Sequence, residues 1–154
     1  MRLKTATATA IVLLALPPAA SARIVPQRGI GGANLDMTQA ELRAKLGRPD
    51  KVRYPRSPIF GRYTTWFYGG TSVDMFRTQD RKVFNVSTAS NSEKTSAGVG
   101  VGSTAAAVKK NVRGATCDPQ HCWVGRFAGG EKVTDFTLGK TGRVTRVTIG
   151  YVLD

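Results

Sequence analysis

The stretch GVGVGSTAAAVKKNV, residues 98–112, decides the fold because alternate glycines lead directly into a short helical pattern. Thr104 suits the N-cap position, and the three alanines that follow it favour a helix. Val101, Val108 and Val112 recur at spacings of seven and four, which places them on one helical face. The stretch therefore predicts a turn that leads into a packed helix.

The same glycines could instead cradle phosphate groups. A Walker loop needs a lysine directly after its last glycine, but Ser103 follows Gly102, and the lysines at 109 and 110 come later. The dinucleotide-binding spacing Gly-x-Gly-x-x-Gly is also absent, because these glycines alternate as Gly-x-Gly-x-Gly. We therefore favour the structural turn over a phosphate site.

An earlier segment has the same pattern as this stretch. Thr38 and Glu41 have the spacing of a capping box, and Leu35, Leu42 and Leu46 repeat the spacings of seven and four 66 residues earlier. A glycine follows each predicted helix, at 47 and at 114, and can end it. The two segments therefore predict two helices that are equivalent in an internal repeat.

The segments after each helix are also similar. Each half contains three β-rich segments, and a Gly-Gly pair follows the first of them. These segments predict an α+β fold, in which two tandem helix-plus-antiparallel-sheet repeats share one sheet with the helices on one face. The boundaries are a first repeat at 23–90, a linker at 91–97 and a second repeat at 98–154, together forming one compact domain. The predicted strands are 63–68, 72–76, 82–86, 122–127, 132–136 and 143–147.

Residues 1–22 have the pattern of a secretory signal peptide that is cleaved before Arg23. Arg2 and Lys4 form a basic start, and a short apolar run at 10–16 precedes small residues that suit the cleavage site. The run is too short to span a bilayer, and no later stretch is long and apolar enough to do so. We expect the mature chain to be secreted, or to reside in the periplasm or cell envelope.

The charge of the mature chain bears on its partners. Without the signal peptide the chain keeps 21 basic and 10 acidic residues, a formal charge of +11. This excess favours a protein or an anionic cell-envelope polymer as partner. The basic residues are scattered along every segment, so we do not expect nucleic acid. A solvated basic surface that only keeps the protein soluble is the alternative, and the oligomeric state is left open.

The stretch CDPQHC contains the only two cysteines and the only histidine of the chain. In an exported protein, Cys117 and Cys122 predict one structural disulfide. A metal site would need more ligands than these cysteines and His121 offer. Asp74 and Asp135 occupy equivalent positions of the two repeats, which explains them better than paired acid–base catalysis. We predict no catalytic residue, no cofactor and no metal, and hence a protein that is not an enzyme.

Several of these motifs resemble those of a known family. The segments Leu35-Asp-Met-Thr38, Glu41-Leu42 and Leu46-Gly47-x-Pro49, with Trp66-x-Tyr68 and a strand carrying Val83 and Val86, resemble the small outer-membrane-assembly lipoproteins. A tandem of such units resembles the β-lactamase-inhibitory protein fold, over about residues 30–152. That resemblance implies a concave sheet that binds a partner protein.

These observations together predict a secreted, non-catalytic binding module that recognises a protein or an anionic envelope partner. An enzyme inhibitor of the β-lactamase-inhibitory type and a small hydrolase with an unrecognised site are the alternatives. The loop at 53–63 is rich in the arginine and aromatic residues that are common at interface hot spots. Alternatively, Ile59 and Phe60 only fill the edge of the core. The predicted partner-binding residues are Arg53, Tyr54, Arg56, Phe60, Arg62 and Tyr63.

Overall fold

A computed structural model describes residues 23–78 and 80–153, and the predicted signal peptide lies outside this range. The described chain consists mainly of antiparallel strands. Its two helices are α1 (Gln39–Leu46) and α2 (Ala105–Asn111). The strands are β1 (Ile24–Val25), β2 (Gly29–Ile30), β3 (Ala33–Asn34), β4 (Lys51–Arg53), β5 (Arg56–Ser57), β6 (Gly61–Tyr68), β7 (Thr71–Phe76), β8 (Val83–Thr88), β9 (Thr116–Cys117), β10 (His121–Val124), β11 (Lys132–Leu138) and β12 (Val144–Tyr151).

Nine of these strands form one sheet, in the order β4-β6-β7-β8-β12-β11-β10-β9 with β5 paired to β6. All neighbouring strands run antiparallel. The predicted Gly-Gly hairpin after residue 68 is confirmed, because Tyr68 lies opposite Thr71 and the two glycines form the loop between them. The six predicted strands are confirmed as β6, β7, β8, β10, β11 and β12, with shifted ends.

The predicted fold class is wrong. The chain is not an α+β arrangement of two helix-plus-sheet repeats with helices on one face, because strands dominate and the helices have only eight and seven residues. The segment before α1, for which the sequence predicted no element, forms a second sheet of three short strands, β1 to β3. Ile24, Ile30 and Ala33 of this small sheet are buried in the same core as the large sheet. A small β-sheet therefore contributes to the layer where only helices were expected.

Both helices begin as predicted. Thr38 Oγ1 accepts a hydrogen bond from the Glu41 amide, and a Glu41 carboxylate oxygen accepts one from the Thr38 amide at 2.8 Å, which confirms the capping box. The hydrogen bonds that the Thr38 amide and hydroxyl donate to the Glu41 carboxylate hold the pKa of Glu41 below its usual value. Thr104 caps α2 through the Ala107 amide. Gly102, at φ 89°, makes the turn before it, as interpreted from the sequence.

The core contains buried residues of the large sheet, of the small sheet and of both helices. A row of directly opposed residues, Trp66, Val73, Val86 and Ile149, crosses four strands of the large sheet and is buried. Four of the six residues in the two predicted helical triplets are buried. They are Leu35, Leu42, Val108 and Val112, whereas Leu46 and Val101 are half-buried.

Two further sequence predictions concern connections. The Cys117–Cys122 disulfide is confirmed, and it joins directly opposed residues of β9 and β10 whose Cα atoms lie 4.0 Å apart. The predicted linker at 91–97 contains Glu93, which is buried and whose Oε2 lies 2.9 Å from Arg23 Nε. The repeat boundaries themselves stay predictions. None of the described helices is long and apolar enough to cross a membrane.

A candidate binding face on the open side of the sheet

The side of the large sheet away from the core presents side chains that are mostly half-buried or exposed. We call it the open face and define it by one row of directly opposed residues that crosses six strands. Side chains alternate between the faces of a strand, so this row is offset by one residue from the core row. The row consists of Phe67, Ser72, Ser87, Thr148, Asp135 and Trp123.

The middle of the open face is polar and internally hydrogen-bonded. Ser87 is buried, and its Oγ accepts a hydrogen bond from Arg146 Nη1 at 3.1 Å. Asp74 accepts hydrogen bonds from Thr65 Oγ1 at 2.6 Å and from Asn85 Nδ2 at 2.9 Å. Because these polar groups are bonded to partners within the sheet, the middle of the face keeps a fixed arrangement without a ligand.

A histidine–carboxylate pair lies on the β10–β11 half of the face. His121 Nδ1 lies 2.9 Å from Asp135 Oδ1, and Asp135 Oδ2 accepts a hydrogen bond from Thr137 Oγ1 at 2.7 Å. Together with Trp123 and Phe127 the pair lines a recess of about 530 Å³. No functional role was predicted for His121 from the sequence, and its pairing with Asp135 was missed. The strand register of the β10–β11 hairpin would have been needed to find it.

Aromatic side chains flank the polar middle on both halves of the face. On the β6–β8 half, the rings of Phe76 and Phe84 stack with centroids 4.4 Å apart, and Phe60 meets Phe84 edge-on at 5.1 Å. On the β10 half, Trp123 and Phe127 lie 5.8 Å apart, and 63% of Phe127 is exposed. Phe127 therefore presents an exposed aromatic ring beside the polar middle of the face.

The six predicted partner-binding residues divide between two surfaces. Arg53 places its guanidinium 5.5 Å from the centre of the Phe67 ring, on the open face. Phe60 and Tyr63 belong to the aromatic cluster there, with ring centroids 5.4 Å apart. Tyr54 and Arg62 instead line a separate cleft, and Arg56 is exposed opposite Arg62 in the β5–β6 pair.

That separate cleft lies beside α1 and the β4 edge of the sheet and has a volume of about 780 Å³. We call it the basic cleft, after six cationic residues that line it. Its acidic lining residue is Asp50, whose carboxylate accepts a hydrogen bond from the Gly69 amide at 2.7 Å. The six cationic residues are Arg43, Arg48, Lys51, Arg62, Arg77 and Arg81.

Across residues 23–78 and 80–153, no three histidine, cysteine, aspartate or glutamate side chains come together in a group that could hold a metal ion. Cys117 and Cys122 are bonded to each other, so neither thiol is free to act as a ligand or nucleophile.

Solved structures of three bacterial proteins are among those similar to this chain. One is an extracellular protein containing an SCP domain from Bacillus anthracis str. Ames, with 13% identity and a TM-score of 0.51 over 76% of this chain and 44% of the other. A cysteine-rich secretory protein from Staphylococcus aureus subsp. aureus Mu50 has 12% identity and a TM-score of 0.49 over 86% of this chain and 49% of its own. A DUF4309 family protein from Bacillus subtilis subsp. subtilis str. 168 has 14% identity and a TM-score of 0.45 over 86% of this chain and 90% of its own.

This chain thus spans less than half the length of the first two proteins. At 13% identity the likeness to the first concerns the fold alone. No protein-family model matches the chain, and no curated protein matches it.

Proposed function

We propose that this chain is a secreted, non-catalytic binding module whose open face recognises an acidic protein surface. The observation that carries the proposal is the pairing of two aromatic groups with a polar middle that is already hydrogen-bonded. Such a surface loses little conformational entropy when it binds, because its side chains are held in place beforehand.

The charges of the open face favour an acidic partner. Its aspartates, Asp74 and Asp135, are engaged by neighbours within the sheet. Arg53 and Arg146 are exposed on the same face and remain able to meet carboxylates. Arginine beside aromatic rings is a combination that is enriched at interface hot spots. The formal charge of the whole mature chain would also speed its association with an acidic protein.

The chemistry of His121 supports a binding role over hydrolysis. Asp135 fixes the orientation of the imidazole, but a hydrolytic centre also needs a serine, threonine or cysteine held by the histidine. The side-chain hydrogen bond found for His121 within the described residues goes to Asp135. We assign the pair to the polar framework of the binding face.

A capture experiment with matched variants tests the proposal. The purified protein is immobilised and exposed to culture medium and envelope extract of its source cells. The open-face variant combines Arg53→Ala, Phe127→Ala and Arg146→Ala. The control, which also removes two cations and one exposed apolar side chain, combines Lys109→Ala, Lys110→Ala and Val25→Ala.

We expect an acidic protein that the original and control proteins capture and the open-face variant does not, with a Kd confirmed by calorimetry on the purified partner. Equal capture by both variants, or a captured ligand that resists protease, would overturn the proposal. If the captured partner is an enzyme, the chain could act as its inhibitor. Titration of the protein against a purified class A β-lactamase tests this alternative, and any inhibition must disappear with the open-face variant.

A further inference from the structure

The basic cleft brings cations from separate parts of the chain into one concave site. Arg43 comes from α1, Arg62 from β6, and Arg77 and Arg81 from the connection between β7 and β8. Arg48 and Lys51 complete the wall at the start of β4. All six are exposed. A concave wall of one sign concentrates the electrostatic potential and raises the local concentration of anions.

Among residues 23–78 and 80–153, none of these six cations forms an ion pair. In the described part of the chain, the ion pairs within 4.0 Å involve other basic residues, namely Arg23, Lys82, His121, Arg126 and Lys132. The Asp50 carboxylate, which also lines the cleft, is held by the Gly69 amide. Like charges gathered in this way repel each other, and a bound anion removes that repulsion.

The residue types favour oxyanions. Five of the six cations are arginines, whose planar guanidinium donates paired hydrogen bonds that match phosphate and carboxylate oxygens. Two of them are already oriented: Arg81 Nη1 donates to Gln39 Oε1 at 3.1 Å, and the Arg77 guanidinium lies 5.6 Å from the Tyr54 ring centre. Less ordering is therefore required when a ligand binds.

We propose that the basic cleft is a binding site for a ligand that carries several phosphate groups on a flexible chain without bases. The volume of about 780 Å³ lies in the range of sites that enclose drug-sized ligands, and six cations suit more than one phosphate. Single-stranded nucleic acid would need successive aromatic platforms. Here Trp66 is buried, and one side of the Tyr54 ring is covered by Arg77. This site is separate from the open face and independent of the function proposed for it.

Calorimetry with defined probes tests the site. The probes are tripolyphosphate, inorganic phosphate and oligothymidylate, each titrated at low and physiological salt. The cleft variant combines Arg43→Gln, Arg62→Gln and Arg81→Gln. The matched control removes the same charge at the opposite end of the sheet, through Lys109→Gln, Lys110→Gln and Arg113→Gln near α2. All of these side chains are exposed, so thermal melting should be unchanged and serves as the folding check.

We expect tripolyphosphate to bind more tightly than inorganic phosphate, and the cleft variant to weaken this binding by at least about tenfold, since charged hydrogen bonds are lost. The control should stay within about twofold, because its charges act only at long range. An equal loss in both variants would mean that net charge alone attracts the probe, and would refute the site. If tripolyphosphate does not bind, the proposed site is refuted as well. If oligothymidylate binds more tightly than tripolyphosphate, the proposed ligand is wrong and the cleft binds nucleic acid instead.

Discussion

The hydroxyl of Tyr151 donates a hydrogen bond to Asp36 Oδ1 at 2.6 Å and thereby ties the last strand to the turn before α1, 115 residues earlier in the chain. Lys132 adds a second link, with its Nζ 2.8 Å from Asp36 Oδ2 and 5.3 Å from the Tyr151 ring centre. Burial alone would raise the pKa of the Asp36 carboxyl, but the hydrogen bonds from Lys132 and Tyr151 outweigh it, so the pKa lies below its usual value.

This lowered pKa predicts an acid-dependent part of the stability. A carboxyl whose pKa is lower in the folded chain stabilises it above the unfolded pKa, and the contribution is lost as pH falls through the folded pKa. Asp36→Asn should lower the free energy of unfolding at neutral pH by less than about 1 kcal/mol, because the Asp36 and Lys132 side chains are 52% and 38% exposed. The gap should close as pH falls below about 3.9, the usual aspartate pKa.

Urea unfolding at several pH values measures this gap. Tyr151→Phe is the matched control, because it removes one hydrogen bond to Asp36 and keeps the carboxylate and its ion pair with Lys132. Its pH dependence should therefore lie between those of the original protein and Asp36→Asn. A difference between Asp36→Asn and the original protein that stays constant down to strongly acid pH would show that this link is not electrostatic.

The two leucines of α1 should differ in their contribution to stability. Leu42 is fully buried, whereas Leu46 is half-buried at the end of the helix. Leu42→Ala should lower the free energy of unfolding by about 2 to 5 kcal/mol, since it leaves a cavity in the core. Leu46→Ala should cost less than half as much, and denaturant unfolding of both variants checks the ratio. Equal losses would contradict the packing described for α1.

The disulfide should contribute measurably although its loop is short. Replacing Cys117 and Cys122 by alanine should lower the free energy of unfolding by about 2 kcal/mol in the chain-entropy model. Reduction of the original protein should produce a similar loss. Thiol labelling of the unfolded, unreduced protein should detect no free cysteine. Labelling of two thiols would show that the bond does not form in the protein.

Local signals predicted individual elements well, and tertiary packing decided the fold class. The capping box at Thr38 and the hairpin after Tyr68 depend on neighbouring residues, and both were found from the sequence. The small sheet was missed because its strands have two residues each, too few to show an alternating pattern. Ile24 and Ile30 are buried in it by contacts that only the folded chain brings together.

The candidate sites were harder to predict, because they depend on strand register. The loop at 53–63 was predicted as a binding site from its composition, but alternation along β6 sends Arg62 and Tyr63 to opposite sides of the sheet. One predicted site thus became parts of two surfaces. The basic cleft was missed because its arginines are scattered along the sequence and converge only in the fold. His121 and Asp135 likewise meet through strand pairing.

Two neighbouring residues of the 53–63 loop separate its two hypothetical roles, partner contact and packing. Phe60 lies within 6.0 Å, between ring centroids, of Tyr63, Phe76 and Phe84, whereas 61% of Ile59 is exposed. Phe60→Ala should lower the free energy of unfolding by about 2 kcal/mol, since it removes three aromatic contacts and part of a buried surface. Ile59→Ala should change it by less than about 0.5 kcal/mol.

Unfolding and partner capture measured on the same two variants decide between these roles. If Phe60 only packs, a conservative Phe60→Leu change should restore much of the stability, and capture should survive in every variant that stays folded. If Phe60 also contacts the partner, Phe60→Leu should fold but capture less, because leucine fills the space without presenting a ring. Tyr54→Ala is the control for the loop itself. Tyr54 is 65% exposed, so its loss should leave unfolding unchanged, and a large destabilisation there would contradict the division of the loop between two surfaces.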